Sequence, residues 1–258
     1  MSSWNGISIP GSSGVSTLDN EDEIDALCWA LARHDYLYIP AEKSAGLLGR
    51  RDENFADDWK AFTESWSRLQ EDNYMADGGR YRARRHATYS APAADVSWKR
   101  EEHQPHYQSP HHNTLNGGIA RHYSPVEPDV AEGGIVGGLL TLGCGLFGRL
   151  APFAAWHIEA HQFRISPAED REGKPTPEGI HRDGVQYVMM MLIERRNVTG
   201  GLSTLYDPEL RPIKQITLSE PLEMIVVNDE RVMHDVSPLI AAFHGEPAYR
   251  DVFVLTFR

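Results

Sequence analysis

The stretch Ile180-His181-Arg182-Asp183-Gly184 runs directly into Val185-Gln186-Tyr187-Val188-Met189-Met190-Met191-Leu192-Ile193. The second half is an almost unbroken apolar run of strand length, as expected for a strand covered on both faces. Other short β-rich segments surround it, at residues 155–165, 202–206, 213–218, 223–227 and 251–257. Gly200-Gly201 and Pro221 punctuate them. Many short strands separated by turn residues predict an all-β core of sandwich or jelly-roll type.

Upstream the pattern changes. Residues 1–17, rich in Ser and Gly, read as a loose arm. Asp19 and Asn20 offer caps for a helix whose apolar positions are Ile24, Leu27, Cys28 and Leu31. Residues 36–39 read as a short strand. Phe55, Trp59, Phe62, Trp66 and Leu69 form a stripe at helical spacing, which predicts core packing. Periodicity is lost over residues 77–128, a stretch dense in Arg, His, Tyr and Pro; such long irregular segments are often functional. Residues 135–147 are apolar and glycine-rich, too short to span a bilayer, and predict a buried helix or packed loop. The expected organisation is one domain, with a helical and loop cap over 18–150 and a β core over 151–258.

The chemistry lies in the opening motif. Side chains two apart on an extended backbone point the same way, so His181 and Asp183 reach one metal. His234 follows in Val232-Met233-His234-Asp235-Val236. Two histidines and a carboxylate on one face of a metal make the facial triad of non-haem Fe(II) oxygenases, whose open positions suit a bidentate 2-oxo acid and dioxygen. Asp235 points to the opposite face of its strand and is not a ligand. Arg250 opens the last β-rich run, where a guanidinium can pair with a carboxylate in two-point fashion. His157, Glu159 and His161 alternate and share a face, where they line a substrate pocket, bond within the core or hold a second metal. His103, His106, His111 and His112 read as surface histidines.

Composition narrows the classes. The formal net charge of −12 disfavours broad nucleic-acid or anionic-membrane binding. A basic cluster at residues 80–85 still admits a small anionic ligand or a solvated surface. Two cysteines without a CxxC pair point to reduced thiols and a cytoplasmic protein, and no signal peptide is read at Met1-Ser2-Ser3-Trp4.

Tyr249 to Phe257, Glu220-Pro221-Leu222-Glu223, Val232 to Pro238, Gly200-Gly201 and His161-Gln162-Phe163-Arg164 together resemble the bacterial 2-oxoglutarate/Fe(II) dioxygenases that hydroxylate free L-amino acids. The likeness is continuous from about His161 onward and weaker at Arg82-Ala83-Arg84. It implies a mainly β fold with helical additions: a double-stranded β-helix (jelly-roll, cupin-like) core with N-terminal helices packed on one side. It implies Fe(II), 2-oxoglutarate and O2 as cofactors, His181, Asp183 and His234 as iron ligands, and Arg250 with Thr176 as the co-substrate site. Ile165 stands where a typical member has a tyrosine against the co-substrate. Asp183 fills the place that related halogenases leave for halide, so hydroxylation is expected.

A free amino acid needs a cation for its carboxylate and an acceptor for its ammonium. Arg82 and Arg84, held outside the core strands, are candidates for the first; Glu159, with His161 beside it, or Asp77 for the second. The expected partner is a small-molecule substrate, with the oligomeric state open and a homodimer as one form. Two other classes fit the same motifs: a non-redox cupin-like metal enzyme such as an isomerase, and a non-catalytic jelly-roll binding module.

Overall fold

The computed structural model describes residues 17–49 and 54–258, with side chains from Glu21 onward. The loose arm expected over residues 1–17 falls almost wholly outside these residues. Helix α1 (Thr17–His34) leads into β1 (Tyr36–Ile39), α2 (Ala41–Gly49), α3 (Phe55–Glu64) and a 3-10 turn over Ser65–Arg68. Next come β2 (Gln70–Glu71), β3 (Arg82–Ala91), β4 (Lys99–Arg100), α4 (Pro128–Ala131) and α5 (Gly134–Leu150). The remaining elements are strands: β5 (Trp156–Ile165), β6 (Tyr187–Arg196), β7 (Val198–Gly200), β8 (Leu202–Tyr206), β9 (Pro212–Thr217), β10 (Met224–Asn228), β11 (Met233–Val236), β12 (Leu239–Ala241) and β13 (Tyr249–Phe257).

Two sheets face each other. The large one runs β1-β10-β6-β13-β5-β3-β2, with β4 on β3; the small one runs β11-β8-β9, and β12 pairs β7. Every strand pairing is antiparallel. The large sheet is buried on both sides, which explains the unbroken apolar run of β6. Met189, Met191 and Ile193 turn outward into a core shared with the helices. Val188 and Leu192 turn inward with Val252, Val254, Ile225 and Val227. Alternation along β13 therefore sends Arg250 to the inner face, beside Val252 and Val254.

Helix α5 seals the outer face. Phe147 stacks on Tyr187 at 4.3 Å between ring centroids and meets Phe257 edge-on at 4.7 Å. A Cβ at Gly143 would lie 2.4 Å from the Phe257 ring, so this helix approaches the sheet only because position 143 lacks a side chain. The segment 128–150 is apolar enough to cross a membrane, yet most of it is buried inside the fold. Cys28 and Cys144 are both buried and unbridged.

Three expectations change. Residues 82–91 are not irregular: they form β3, which pairs along its whole length with β5. The β core therefore starts well before residue 151 and includes β1, on the edge of β10. A run of charged residues such as Arg82-Ala83-Arg84-Arg85-His86 hides a strand whose inner face is polar because it lines a cavity. Finally, α1 already runs from Thr17, so Asp19 and Asn20 lie inside its first turn and not before it.

Candidate active site

His181 and His234 are brought together by backbone hydrogen bonding. His181 N–H donates to His234 O at 3.0 Å, and His234 N–H to His181 O at 2.9 Å. Such a mutually bonded antiparallel pair puts both side chains on one face; their ring centroids lie 4.5 Å apart. Gly184, at φ +80°, then turns the chain toward β6. The buried Asp229 carboxylate clamps this turn, accepting the N–H groups of Asp183, Gly184 and Val185 at 3.0, 2.9 and 3.2 Å.

Asp183 sits between the imidazoles. Its Oδ1 is 3.7 Å from His181 Nε2, and its Oδ2 is 3.6 Å from His234 Nε2. One donor atom from each of the three residues falls within 4.8 Å of the others. His181 Nδ1 lies 3.0 Å from Gly179 O, a bond that fixes the ring and leaves Nε2 for a metal. Burial would push the His181 imidazole down, but the Asp183 carboxylate outweighs it and raises it to about 9. Burial and the neighbouring His181 push His234 down to about 4. Desolvation opposes the charge on Asp183, and the imidazoles overcome it, holding the carboxyl well below its ordinary value. One buried carboxylate and two converging imidazoles fit a divalent iron ion.

Arg250 is 1% exposed. Its guanidinium touches Met190 Sδ at 3.6 Å, and its Nε has no hydrogen-bond partner among the described residues. Among the described residues it makes no ion pair. Burial, with Arg195 close by, brings its pKa down to about 10. A buried, unpaired guanidinium is costly on its own and suits an incoming carboxylate. Thr176 lines the same cavity, but its hydroxyl is tied to β11: Val236 N–H donates to it at 3.0 Å and it donates to Val236 O at 3.2 Å. It therefore braces the strand that carries His234. Ile165 also lines the cavity.

The cavity is about 350 Å³, in the range of small-molecule sites. Its far wall comes from β5, β3 and the segment before α4. His157, Glu159 and His161 all line it, as their alternation predicted. His106 Nδ1 lies 2.7 Å from Glu159 Oε2, and His161 Nε2 lies 3.6 Å from the same oxygen. His86 Nε2 and His157 Nε2 lie 3.7 and 3.8 Å from Glu159 Oε1. Burial would raise the Glu159 carboxyl, but these imidazoles hold it far below its ordinary value. Burial pushes His106 down to about 4 and lowers His86 and His161 as well. The result is an ionised carboxylate beside the neutral imidazoles of His86, His106 and His161.

Cations stand next to it. Arg84, 3% exposed, places Nη2 2.7 Å from His161 Nδ1 and its guanidinium 3.8 Å from the Tyr123 ring centroid. Arg121 is 1% exposed, and its Nε has no hydrogen-bond partner among the described residues.

Several site expectations are corrected here. Arg82 and Arg84 do not lie outside the core strands: both are buried residues of β3. Arg82 is bound to Asp72 at 2.8 Å and so is engaged internally. Asp77 is exposed, lies off the cavity and accepts from the Tyr81 hydroxyl at 2.6 Å. His106 is buried in the site, and His112 lines the cavity, whereas His103 and His111 are exposed. Sequence reasoning missed Arg121, Gln108, His86 and Asp229. The first three fall in residues 77–128, where the lost periodicity was the only signal.

The family described as 2OG-Fe dioxygenase matches residues 63–256. The chain belongs to this family and is a non-haem iron dioxygenase that uses 2-oxoglutarate and O2. Among its relatives is the 3(1)-hydroxy-L-isoleucine 4-dioxygenase of Pantoea ananatis (strain AJ13355), 23% identical over 88% of this chain and 93% of that protein. Another is the L-isoleucine-4-hydroxylase of Bacillus thuringiensis, 25% identical over 73% of this chain and 78% of that one. Among solved structures, a bsmA homolog from Methylobium petroleophilum PM1 is similar at a TM-score of 0.80 and 30% identity, covering 91% of this chain and 92% of that one.

Proposed function

We propose that the chain hydroxylates a free L-amino acid or a close small derivative, releasing succinate and CO2. One observation carries this reading. Inside the cavity that holds the triad, a buried cation and a half-buried anion are separated by a single imidazole: His161 Nδ1 is 2.7 Å from Arg84, and its Nε2 is 3.6 Å from Glu159. An α-amino acid carries a carboxylate and an ammonium on one carbon, the matching pair. Its side chain then extends toward Asp183. The two relatives named for hydroxyisoleucine and isoleucine support the same class.

His86, His106, Glu159 and His161 also bring donor atoms within 4.8 Å of one another, a spacing compatible with a second metal. The Arg84 guanidinium against His161 argues against a bare divalent ion. A zwitterion brings its own carboxylate to Arg84, whose contact with Asp72 is loose at 3.9 Å, while its ammonium meets Glu159.

The roles follow from the residues. His181, Asp183 and His234 hold Fe(II), which when bound supplies the oxidising chemistry with O2 and 2-oxoglutarate. Arg250 anchors the distal carboxylate of 2-oxoglutarate. Arg84 and Arg121 take the substrate carboxylate, and Glu159 accepts its ammonium protons. Neutral His106 and His161 keep that carboxylate charged without competing for the ammonium. Substrate held at two points presents a defined carbon to the metal.

The test is an anaerobic screen of free amino acids against the Fe(II)/2-oxoglutarate protein, followed by the metal-to-ligand charge-transfer band. At least one amino acid should perturb the band and drive succinate release in air. If none does while a small molecule lacking an ammonium group does, the amino-acid reading fails.

A further inference from the structure

The metal ligand Asp183 has a neighbour no motif marks. Gln108 Nε2 donates to Asp183 Oδ1 at 3.1 Å and to Asp183 O at 3.2 Å. Its amide oxygen accepts from Arg121 Nη2 at 3.2 Å and from Asn113 Nδ2 at 3.1 Å. This polarity is the only one the surroundings permit. Turned over, the NH2 would face two donors and the oxygen a carboxylate.

The donors that set it are themselves fixed. Arg121 is paired through its backbone with His106, at 2.9 and 3.0 Å. Asn113 Oδ1 accepts from Asn116 N–H at 2.6 Å. Gly118 N–H donates to Gln108 O at 2.8 Å, which holds the Gln108 backbone.

We propose that Gln108 is a positioning residue for the metal centre, fixing Asp183 through Oδ1 so that the carboxylate offers Oδ2 to the ion. A carboxylate presenting one oxygen takes one coordination position and leaves three for a two-point co-substrate and dioxygen; one presenting both leaves two. Gln108 thereby sets how many positions stay open, and Arg121, a candidate substrate anchor, sets the direction of its amide. The proposal rests on placing the metal at His181, Asp183 and His234, and the control below tests that placement separately.

Co(II) serves as the probe, with affinity measured anaerobically by chelator competition and the visible band of the bound ion recorded. Gln108→Met keeps length and removes the donor. Its Co(II) affinity should fall about 10- to 100-fold, as for other hydrogen-bond partners of metal ligands, and the band should move, while the metal-free protein melts within about 2 °C of the unaltered one. Gln108→Asn keeps an amide in the loop but is one methylene too short to span Asn113 and Asp183, and should lose affinity likewise. Arg121→Met should shift the band in the same direction by less. Unaltered affinity and band in either Gln108 variant overturn the positioning role. So does a fall in melting temperature with normal Co(II) affinity, which marks a merely structural residue. His234→Ala should abolish Co(II) binding; if it binds like the unaltered protein, the metal placement itself is wrong.

Discussion

Replacing Arg250 with alanine should separate co-substrate binding from folding. Arg250 is 1% exposed, and its guanidinium has a sulfur contact and no ion pair among the described residues. In the metal-free protein the truncation removes a buried, incompletely satisfied cation, so the loss of packing is offset by relief of desolvation. The melting temperature of the metal-free variant should stay within a few degrees. With 2-oxoglutarate the balance reverses. A buried carboxylate that loses its two-point cationic partner costs about 2–5 kcal/mol, which at about 1.4 kcal/mol per decade is roughly 30- to 4,000-fold in affinity. The assay is anaerobic titration of the Fe(II)-loaded variant with 2-oxoglutarate, read from the charge-transfer band. An unchanged dissociation constant overturns this role and moves the anchor to Arg195, the neighbouring cation whose Nη1 lacks a hydrogen-bond partner among the described residues. A collapse of the metal-free fold would refute the claim that Arg250 is unneeded for folding.

Other outcomes follow from the same geometry. His234→Ala should abolish iron binding and turnover; near-normal activity would remove the metal assignment. Glu159→Gln should raise the requirement for the amino-acid substrate at least about tenfold, the scale of one lost charge-assisted bond, while 2-oxoglutarate affinity stays put; equal loss of both would point to general damage. Added chloride should yield no chlorinated product from the unaltered enzyme, because Asp183 fills the ligand position a halide needs, and detection of such product by mass spectrometry would overturn this. Gly143→Ala drives a Cβ to 2.4 Å from the Phe257 ring; overpacking of that kind costs about 1–3 kcal/mol, and thermal melting should fall by several degrees, whereas an unchanged midpoint would mean the helix shifts freely.

The features that depend on local pattern were legible in the order of residues. The apolar run of β6 announced a strand covered on both sides. The one-residue spacing of His181 and Asp183 announced two side chains on one face, and the alternation of His157, Glu159 and His161 did the same for β5. Arg250 was legible because its strand alternates from it inward. How segments distant in the chain meet emerged from the folded arrangement. The first half of β3 is charged because its inner face lines a polar cavity, and the apolar alternation of Ala87, Tyr89 and Ala91 on its outer face is too short to announce the strand, so its register with β5 revealed it. That register sets His86 beside His161 and turns Arg84 into the cavity. Arg121, Gln108 and Asp229 belong to loops without period, and their roles come from hydrogen bonds across 13 to 75 residues of chain. Side-chain direction in a strand follows from a period of two and can be read locally. The partner of a loop side chain depends on closure of the whole sheet around it, and no local pattern encodes that.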